Sequence, residues 1–365
     1  MFHFGIEHEV ALADQRGALV AWTDASYMVF RRIIAALPHY PDDGAVLHIG
    51  DAGVRVKRWY IEGLERFDET GELLMVVPKG IEIRTTPHAT IAGAVAELHA
   101  SFARLRAAAA AEGLRPVLLS FNPTATSFAY DPPLNAFERR LHQTDPDYQT
   151  EALAMLTYGP DLNLSQDGLD AAGALDLGRK FTAYSPYIVP FSFSSPFYAG
   201  GLWAGLSART FYRTGRRPAA YVFLAEASAP PARLARNQRE VGRVEFKAFD
   251  SCADFGFYGA LLALLKGIAL DQTLAERADV PDAAKHQHVA RCGFADAALA
   301  AGARQVLTAA TQALADDPDR TLLVPLAAML AQRITPAHAL LATYQQRGSL
   351  AETLRDSYPP PAVGD

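Results

Sequence analysis

The sequence has only two cysteines, Cys252 and Cys292, in 365 residues, and neither belongs to a CxxC pair. That speaks against a disulfide framework and against a cysteine zinc site. It also lacks a strong excess of one charge: 40 acidic and 34 basic side chains leave a formal net charge of -6. Binding to nucleic acid through bulk electrostatics is therefore not expected. There is no GxGxxG, and no GxxxxGK followed by Ser or Thr, so neither a dinucleotide fold nor a P-loop is signalled. The longest strongly apolar run, residues 255–265, is too short to span a membrane. The N-terminus, MFHFGIEHEV, has no basic stretch followed by an apolar one. No secretory signal is expected, and the protein reads as cytoplasmic.

What is present is a globular composition, 50% hydrophobic, with enough length for one large domain or two ordinary ones. Residues 3–22 read as a hairpin, with DQRG at 14–17 as its turn. Asp24 is a candidate cap for a helix over 27–37, ended by Pro38. Alternation over 46–77 reads as strands turning at 69–71, leading into VPKGIEIRTTPH at 77–88. Thr90 starts a long helix to Ala111, stopped by Gly113. A short strand, VLLSFNP, runs into a polar loop over 121–136. Further helices are expected over 145–156 and 173–189, and strands at YGPDLNLSQDG, 219–226 and GRVEFKAFD. Residues 227–240 read as linker or helix.

After Asp250 the chain becomes rich in Ala and Leu. Helices are expected over 256–278, 282–291, 296–315, 318–332 and 336–346, with Asp317–Pro318 and Thr335–Pro336 as starts. The tail, YPPPAVGD, reads as loose. The outline is α+β: a mostly antiparallel sheet with helices on one face, closed by a helical last third. The expected division is 1–254 for the sheet region, 255–355 for helices packed on it, and 356–365 for the tail.

Charged residues two apart recur on three of the strands. They are Glu7 and Glu9 in GIEHEV, Glu82 and Arg84 in IEIR, and Glu245 and Lys247 in VEFK. Residues two apart on a strand share a face, which sets them opposite Ile81 and Ile83. His8 falls on the opposite side and is expected to pack or bond locally. Asp161 and Asn163 likewise share a face. A solvated strand face also shows charges at period two, so each pair alone fits a plain surface. Together, in apolar surroundings, they point to one polar cleft. Carboxylates crowded into one site repel unless a cation neutralises them. Mg²⁺ suits Glu7, Glu9, Glu82 and Glu245, because it takes oxygen ligands and leaves room for phosphates. Arg84, Lys247 and the arginines at 209–217 would meet a phosphate or carboxylate. A surface role is the alternative for that arginine group, except for Arg209, which follows an unusual Ser/Gly/aromatic segment. His286 and His288, two apart in a helix, do not face the same way. Cys252 reads as a packed residue.

The pattern resembles glutamate–cysteine ligase family 2, carboxylate–amine ligases related in fold to glutamine synthetase. The matching pieces, in the family's order, are GIEHEV, KGIEIRTTPH, SFNPTA, YGPDLNLSQDG, SPYIVPFSFSSPFYAG with SAR after it, and GRVEFKAFD. The resemblance implies a curved, mostly antiparallel sheet forming an active-site funnel, with helices outside. It implies ATP and two or more Mg²⁺ (or Mn²⁺) on the inner face. Glu7, Glu9, Glu82 and Glu245 then match metal ligands. Arg84, Arg209 and Lys247 match groups that stabilise a transferring phosphoryl group, and Asp161 and Asn163, with Arg84 and Arg209, nucleotide or substrate contacts. Two departures from the family's pattern, at three positions, stand out. A pair of histidines is usual where Asp161 and Asn163 stand, and arginine where Lys247 stands; lysine keeps the charge and loses the bidentate fork. The implied reaction is ATP-dependent amide formation through an acyl phosphate, on small-molecule carboxylate and amine substrates, with glutamate and cysteine one candidate pair. A phosphotransferase, a ligase for another amino acid or amine, and a non-catalytic nucleotide-binding protein are the alternatives. A homodimer is the base-rate expectation.

Overall fold

A computed structural model describes residues 1–41, 58–226 and 230–356. The loose tail expected at the C-terminus, and the first part of the alternation over 46–77, lie outside the described residues. The main sheet is built from β1 (Phe2–Ala13), β2 (Trp59–Phe67), β3 (Leu73–Arg84), β4 (Arg115–Val117), β5 (Pro160–Gln166), β8 (Ala220–Leu224), β9 (Ala232–Leu234) and β10 (Val244–Phe246). β6 (Phe197–Tyr198) and β7 (Gly201–Leu202) form a separate small hairpin. The strand order in the main sheet is β2-β3-β1-β5-β10-β8-β9, with β4 on the end of β1. The sheet is curled into a half-barrel. All its pairings are antiparallel except β8 with β9. The fold is the expected α+β, glutamine synthetase-like arrangement.

The two faces of the sheet differ as period two requires. On one side Phe4, Ile6, Val10, Ile81, Ile83, Leu162, Leu164 and Phe246 are buried in a single core. Helices α1 (Asp24–Ala36), α2 (Ile91–Ala111) and α4 (Ala171–Ile188) add to that core from outside. The shorter α3 (Ala136–Thr144) lies against the end of β2. Each such large side chain contributes about 1.5–3 kcal/mol by leaving water. That burial fixes which face is left for polar groups. The other side of β1, β3, β5 and β10 carries the charged residues.

The helical last third is integral to this core. α6 (Gly256–Leu270) is nearly all buried. Its Tyr258 hydroxyl accepts from the Cys252 N–H at 2.7 Å and meets His8 Nε2 at 2.8 Å. His8 is buried on the core face, and burial pulls its pKa down to about 4. Among the described residues, α7 (Ala283–Cys292), α8 (Ala297–Ala313), α9 (Val324–Gln332), α10 (Pro336–Arg347) and α11 (Leu350–Asp356) follow. α5 (Ala208–Arg213) sits between the small hairpin and β8.

Several local expectations need correction. The first helix is capped by Thr23, in a capping box with Ser26, and so begins at Asp24. The return strand after DQRG is a single bridge, Ala13 to Leu19. The helix expected over 256–278 stops at Leu270, where Asp271 receives the N–H groups of Thr273 and Leu274 and turns the chain. Within 227–240 the described residues hold a parallel strand, Ala232–Leu234, and a 3₁₀ turn. Thr90, Asp317 and Thr335 cap the elements that follow them, the last two with proline at the first turn.

Candidate active site

The concave side of the sheet opens into a cleft of about 1700 Å³. Strand register places the charged pairs along its floor. Glu7 stands opposite Arg84 and Glu9 opposite Glu82 across β1 and β3. Glu7 also faces Asp161, and Asn163 faces Glu245. All nine residues singled out in the sequence, including Arg209, line this one cleft.

The carboxylates gather in two groups. The first is Glu9, Glu62 and Glu82, each offering an oxygen within 4.8 Å of the others. Glu62 was not singled out from the sequence. It lies on β2 two residues on from Tyr60, which faces Glu82. Lys79 enters this group from β3, donating to Glu9 at 2.7 Å and to the carbonyls of Thr157 and Ala154 at 2.9 and 3.1 Å. Strict alternation would hide Lys79 with Ile81 and Ile83. A bulge prevents that: Glu62 pairs with Gly80 but Gly63 pairs with Pro78, so Lys79 is the extra residue and turns into the cleft. Gly63 is required there, because a Cβ would lie 2.0 Å from the Val77 carbonyl oxygen.

Burial pushes the Glu82 carboxyl well above its usual range, and repulsion by Glu62 and Glu7 adds to this more than Arg84 takes away. Burial opposes the charged form of Glu9 too, but Lys79 holds its pKa below the ordinary value. Three oxygen ligands short of positive charge at Glu82 form a donor set that fits a hard divalent cation.

The second group is Glu7, Asp161 and Glu245, and it carries its own cations. Arg243 donates to Glu7 at 3.0 Å, to Glu245 at 2.8 Å and to Asn163 Oδ1 at 2.7 Å. Lys247 donates to Asp161, and to Glu245 at 2.5 Å. Arg84 Nε lies 3.3 Å from Glu7 and 3.8 Å from Glu82, and its guanidinium stacks on Tyr60. Burial disfavours ionised Glu7, but Arg84 and Arg243 overcome that and bring its pKa down to about 2. Asp161 goes the other way, to about 6, because burial and the nearby acids outweigh Lys247. Burial works against charged Lys247, yet Asp161 and Glu245 hold its pKa above the ordinary lysine value. Arg243 obeys the same period-two rule as Glu245 and Lys247, and so was legible in GRVEFK.

Arg209 lines the cleft while its guanidinium is also held by the backbone. Its two Nη groups donate to the carbonyls of Phe249 and Lys247 at 2.8 and 2.9 Å. It packs so closely on Gly159 that a Cβ there would meet Nη2 at 2.5 Å. Buried Asp250 accepts from Ser194 N–H, Ser195 and Ser207, and Ser207 caps α5. The Ser-rich segment therefore anchors the helix that carries Arg209 and Arg213. A separate trio, His288, Cys292 and Asp296, brings ligand atoms within 4.8 Å of one another outside the cleft. Asp296 there already caps α8 and pairs with His288 at 3.1 Å.

A half-barrel sheet with an acid-lined concave face places the chain among the glutamine synthetase-like ligase folds. The family model for glutamate-cysteine ligase family 2 matches residues 3–242, and the chain belongs to that family. Glu245 and Lys247 lie just beyond the matched residues. Among solved structures, a bifunctional glutathione synthetase from Pasteurella multocida is similar with TM-score 0.63 and 14% identity, over 98% of this chain and 52% of that one. The chain thus spans about half the length of that protein. A glutamate–cysteine ligase from Francisella tularensis, solved in complex with AMP, is similar with TM-score 0.57 and 12% identity, over 99% of this chain and 90% of that one. No match is found among curated proteins. Among the described residues, no helix is long and apolar enough to cross a membrane.

Proposed function

We propose that the protein is an ATP-dependent carboxylate–amine ligase that activates an amino-acid carboxylate as an acyl phosphate. The observation that carries this reading is the Glu9–Glu62–Glu82 group, three converging carboxylates on the floor of a cleft whose other charges include lysine and arginine. Glu9, Glu62 and Glu82 would hold a Mg²⁺ or Mn²⁺ ion. When bound, such an ion neutralises phosphate oxygens of ATP and aligns the γ-phosphoryl group.

The chain's own residues do the rest. Lys79 and Arg84 orient the acids from either side. Arg84 and Lys247, already next to carboxylates, can swing to phosphoryl oxygens as negative charge builds there. A substrate carboxylate oxygen attacks the γ-phosphorus and ADP leaves. A neutral amine then attacks the acyl carbon, phosphate leaves and an amide forms. Asp161, with its pKa near 6, is placed to take the amine's proton. Glutamate with cysteine is the first pair to try, and a different amino acid or amine is the second reading, favoured by the Asp161–Asn163 and Lys247 departures. A homodimer in the cytoplasm completes the proposal.

The test is an ADP-release screen over amino-acid pairs with mass spectrometry of the products. The expected result is a pair-dependent, Mg²⁺-dependent ADP release with one new amide. ADP release with a phosphorylated product and no amide would instead make it a phosphotransferase. Nucleotide binding with no turnover on any pair would make it a binding protein.

A further inference from the structure

Three arginines line the wall of the cleft at four-residue spacing: Arg209, Arg213 and Arg217. Arg209 is held by two backbone carbonyls. Arg217 lies 3.5 Å from Asp147. That carboxylate is shared with Arg233 at 2.6 Å and with the Tyr221 hydroxyl at 2.8 Å. Arg213 differs from both. It is only 4% exposed, and its guanidinium has no hydrogen-bond or ion-pair partner among the described residues. Its Nη1 is fully buried without an acceptor, and so is Arg217 Nε.

A buried cation left unpaired is among the costliest arrangements in a folded protein. Burial, with repulsion by Arg209 and Arg217, pulls the pKa of Arg213 down to about 9, which leaves it charged at neutral pH. Asp161 attracts it, but that carboxylate is engaged by Lys247. The arrangement has donors facing a polar cleft and no acceptor to receive them.

We propose that Arg213, flanked by Arg217, is an oxyanion subsite that receives one carboxylate or phosphoryl group of a substrate. The planar guanidinium fork suits both groups, bidentate in each case. The subsite deepens the ligase reading and rests on it only for the identity of the ligand. Arg213 and Arg217 line the same cleft as Glu9, Glu62 and Glu82. An anion held at Arg213 is therefore presented to the reacting groups rather than stored away from them.

The test compares the full chain with Arg213→Met and Arg213→Lys. Thermal unfolding is followed at low ionic strength, in sodium sulfate and in sodium chloride of matched ionic strength. Wild type is expected to gain more from sulfate than from chloride. Arg213→Met should lose that difference and, without anion, be at least as stable as wild type; Arg213→Lys should keep part of it. A wild type indifferent to sulfate overturns the proposal. So does an Arg213→Met variant that keeps the sulfate gain, or one that is destabilised without losing it.

Calorimetric titration with L-glutamate, and separately with AMP-PNP and Mg²⁺, then identifies the source. A loss of tenfold or more confined to glutamate assigns a carboxylate, and one confined to AMP-PNP assigns a phosphoryl group. If the ligase reading alone fails, no amino-acid pair releases ADP while the sulfate gain at Arg213 persists.

Discussion

The two carboxylate groups of the cleft lie on neighbouring strands yet are neutralised in opposite ways. Glu7, Asp161 and Glu245 are threaded by Arg84, Arg243 and Lys247. At Glu82, in contrast, burial and the repulsion of Glu62 and Glu7 exceed what Arg84 supplies. The Glu7–Asp161–Glu245 group is balanced by its own ion pairs. The Glu9–Glu62–Glu82 group has a donor set that suits an added cation. One cleft thus holds a charge-balanced network beside a group of acids that its neighbours do not fully balance.

The comparison can be broken most strongly at Lys247. Lys247→Met leaves buried Asp161 without its cation and Glu245 with Arg243 alone, which should cost about 3–5 kcal/mol, read by urea unfolding. Added Mg²⁺ should restore part of the loss in the variant and do less for wild type, because the variant makes the balanced group resemble the unbalanced one. Glu82→Gln tests the other group. Its divalent-ion requirement for ADP release should rise about 100-fold, equivalent to about 2.7 kcal/mol, as seen in a Mg²⁺ titration. Full turnover in Glu82→Gln at the wild-type Mg²⁺ level would remove the metal assignment.

A smaller change is expected from Gly63→Ala. The new Cβ would crowd the Val77 carbonyl and cost about 1–3 kcal/mol, and it should weaken Mg²⁺ dependence by disturbing Lys79 and Glu62 while sparing the Lys247 group. The smallest effect at neutral pH concerns a pair outside the cleft, Arg66 and Glu138, joined at 2.6 Å. Burial works against the ionised form of Glu138, but Arg66 and backbone N–H groups bring its pKa down from the ordinary carboxylate range to about 2. A depressed carboxyl stabilises the fold above its unfolded pKa, and that contribution is lost as pH falls through the folded value. Unfolding measured from pH 5 to pH 2 should therefore steepen in wild type and flatten in Glu138→Gln, with no such slope between pH 6 and pH 8.

Much of the cleft was readable as period-two chemistry. GIEHEV, IEIR and VEFK each place charges on one face, and apolar neighbours on the other face oblige the sheet to turn them together. Thr90 and the two proline-started helices were equally local, because caps act within four residues. Lys79 was not readable, because its direction depends on a bulge that only the β2–β3 register creates. Glu62 was missed for a related reason: nothing in WYIEGLERF says that its partner strand carries Glu82. Arg209 carried a clear motif signal, but the motif does not say that its donors are taken by backbone carbonyls.

The sequence alone therefore determined the fold class, the family resemblance, the strands that would bear charge and the face on which each charge would lie. Periodicity and capping are local, and burial of the apolar face leaves no other choice. Only the tertiary structure decided which carboxylate meets which cation. Pairing across strands depends on register, and register is settled by a bulge, by a close glycine contact and by helices packed on the far side of the sheet.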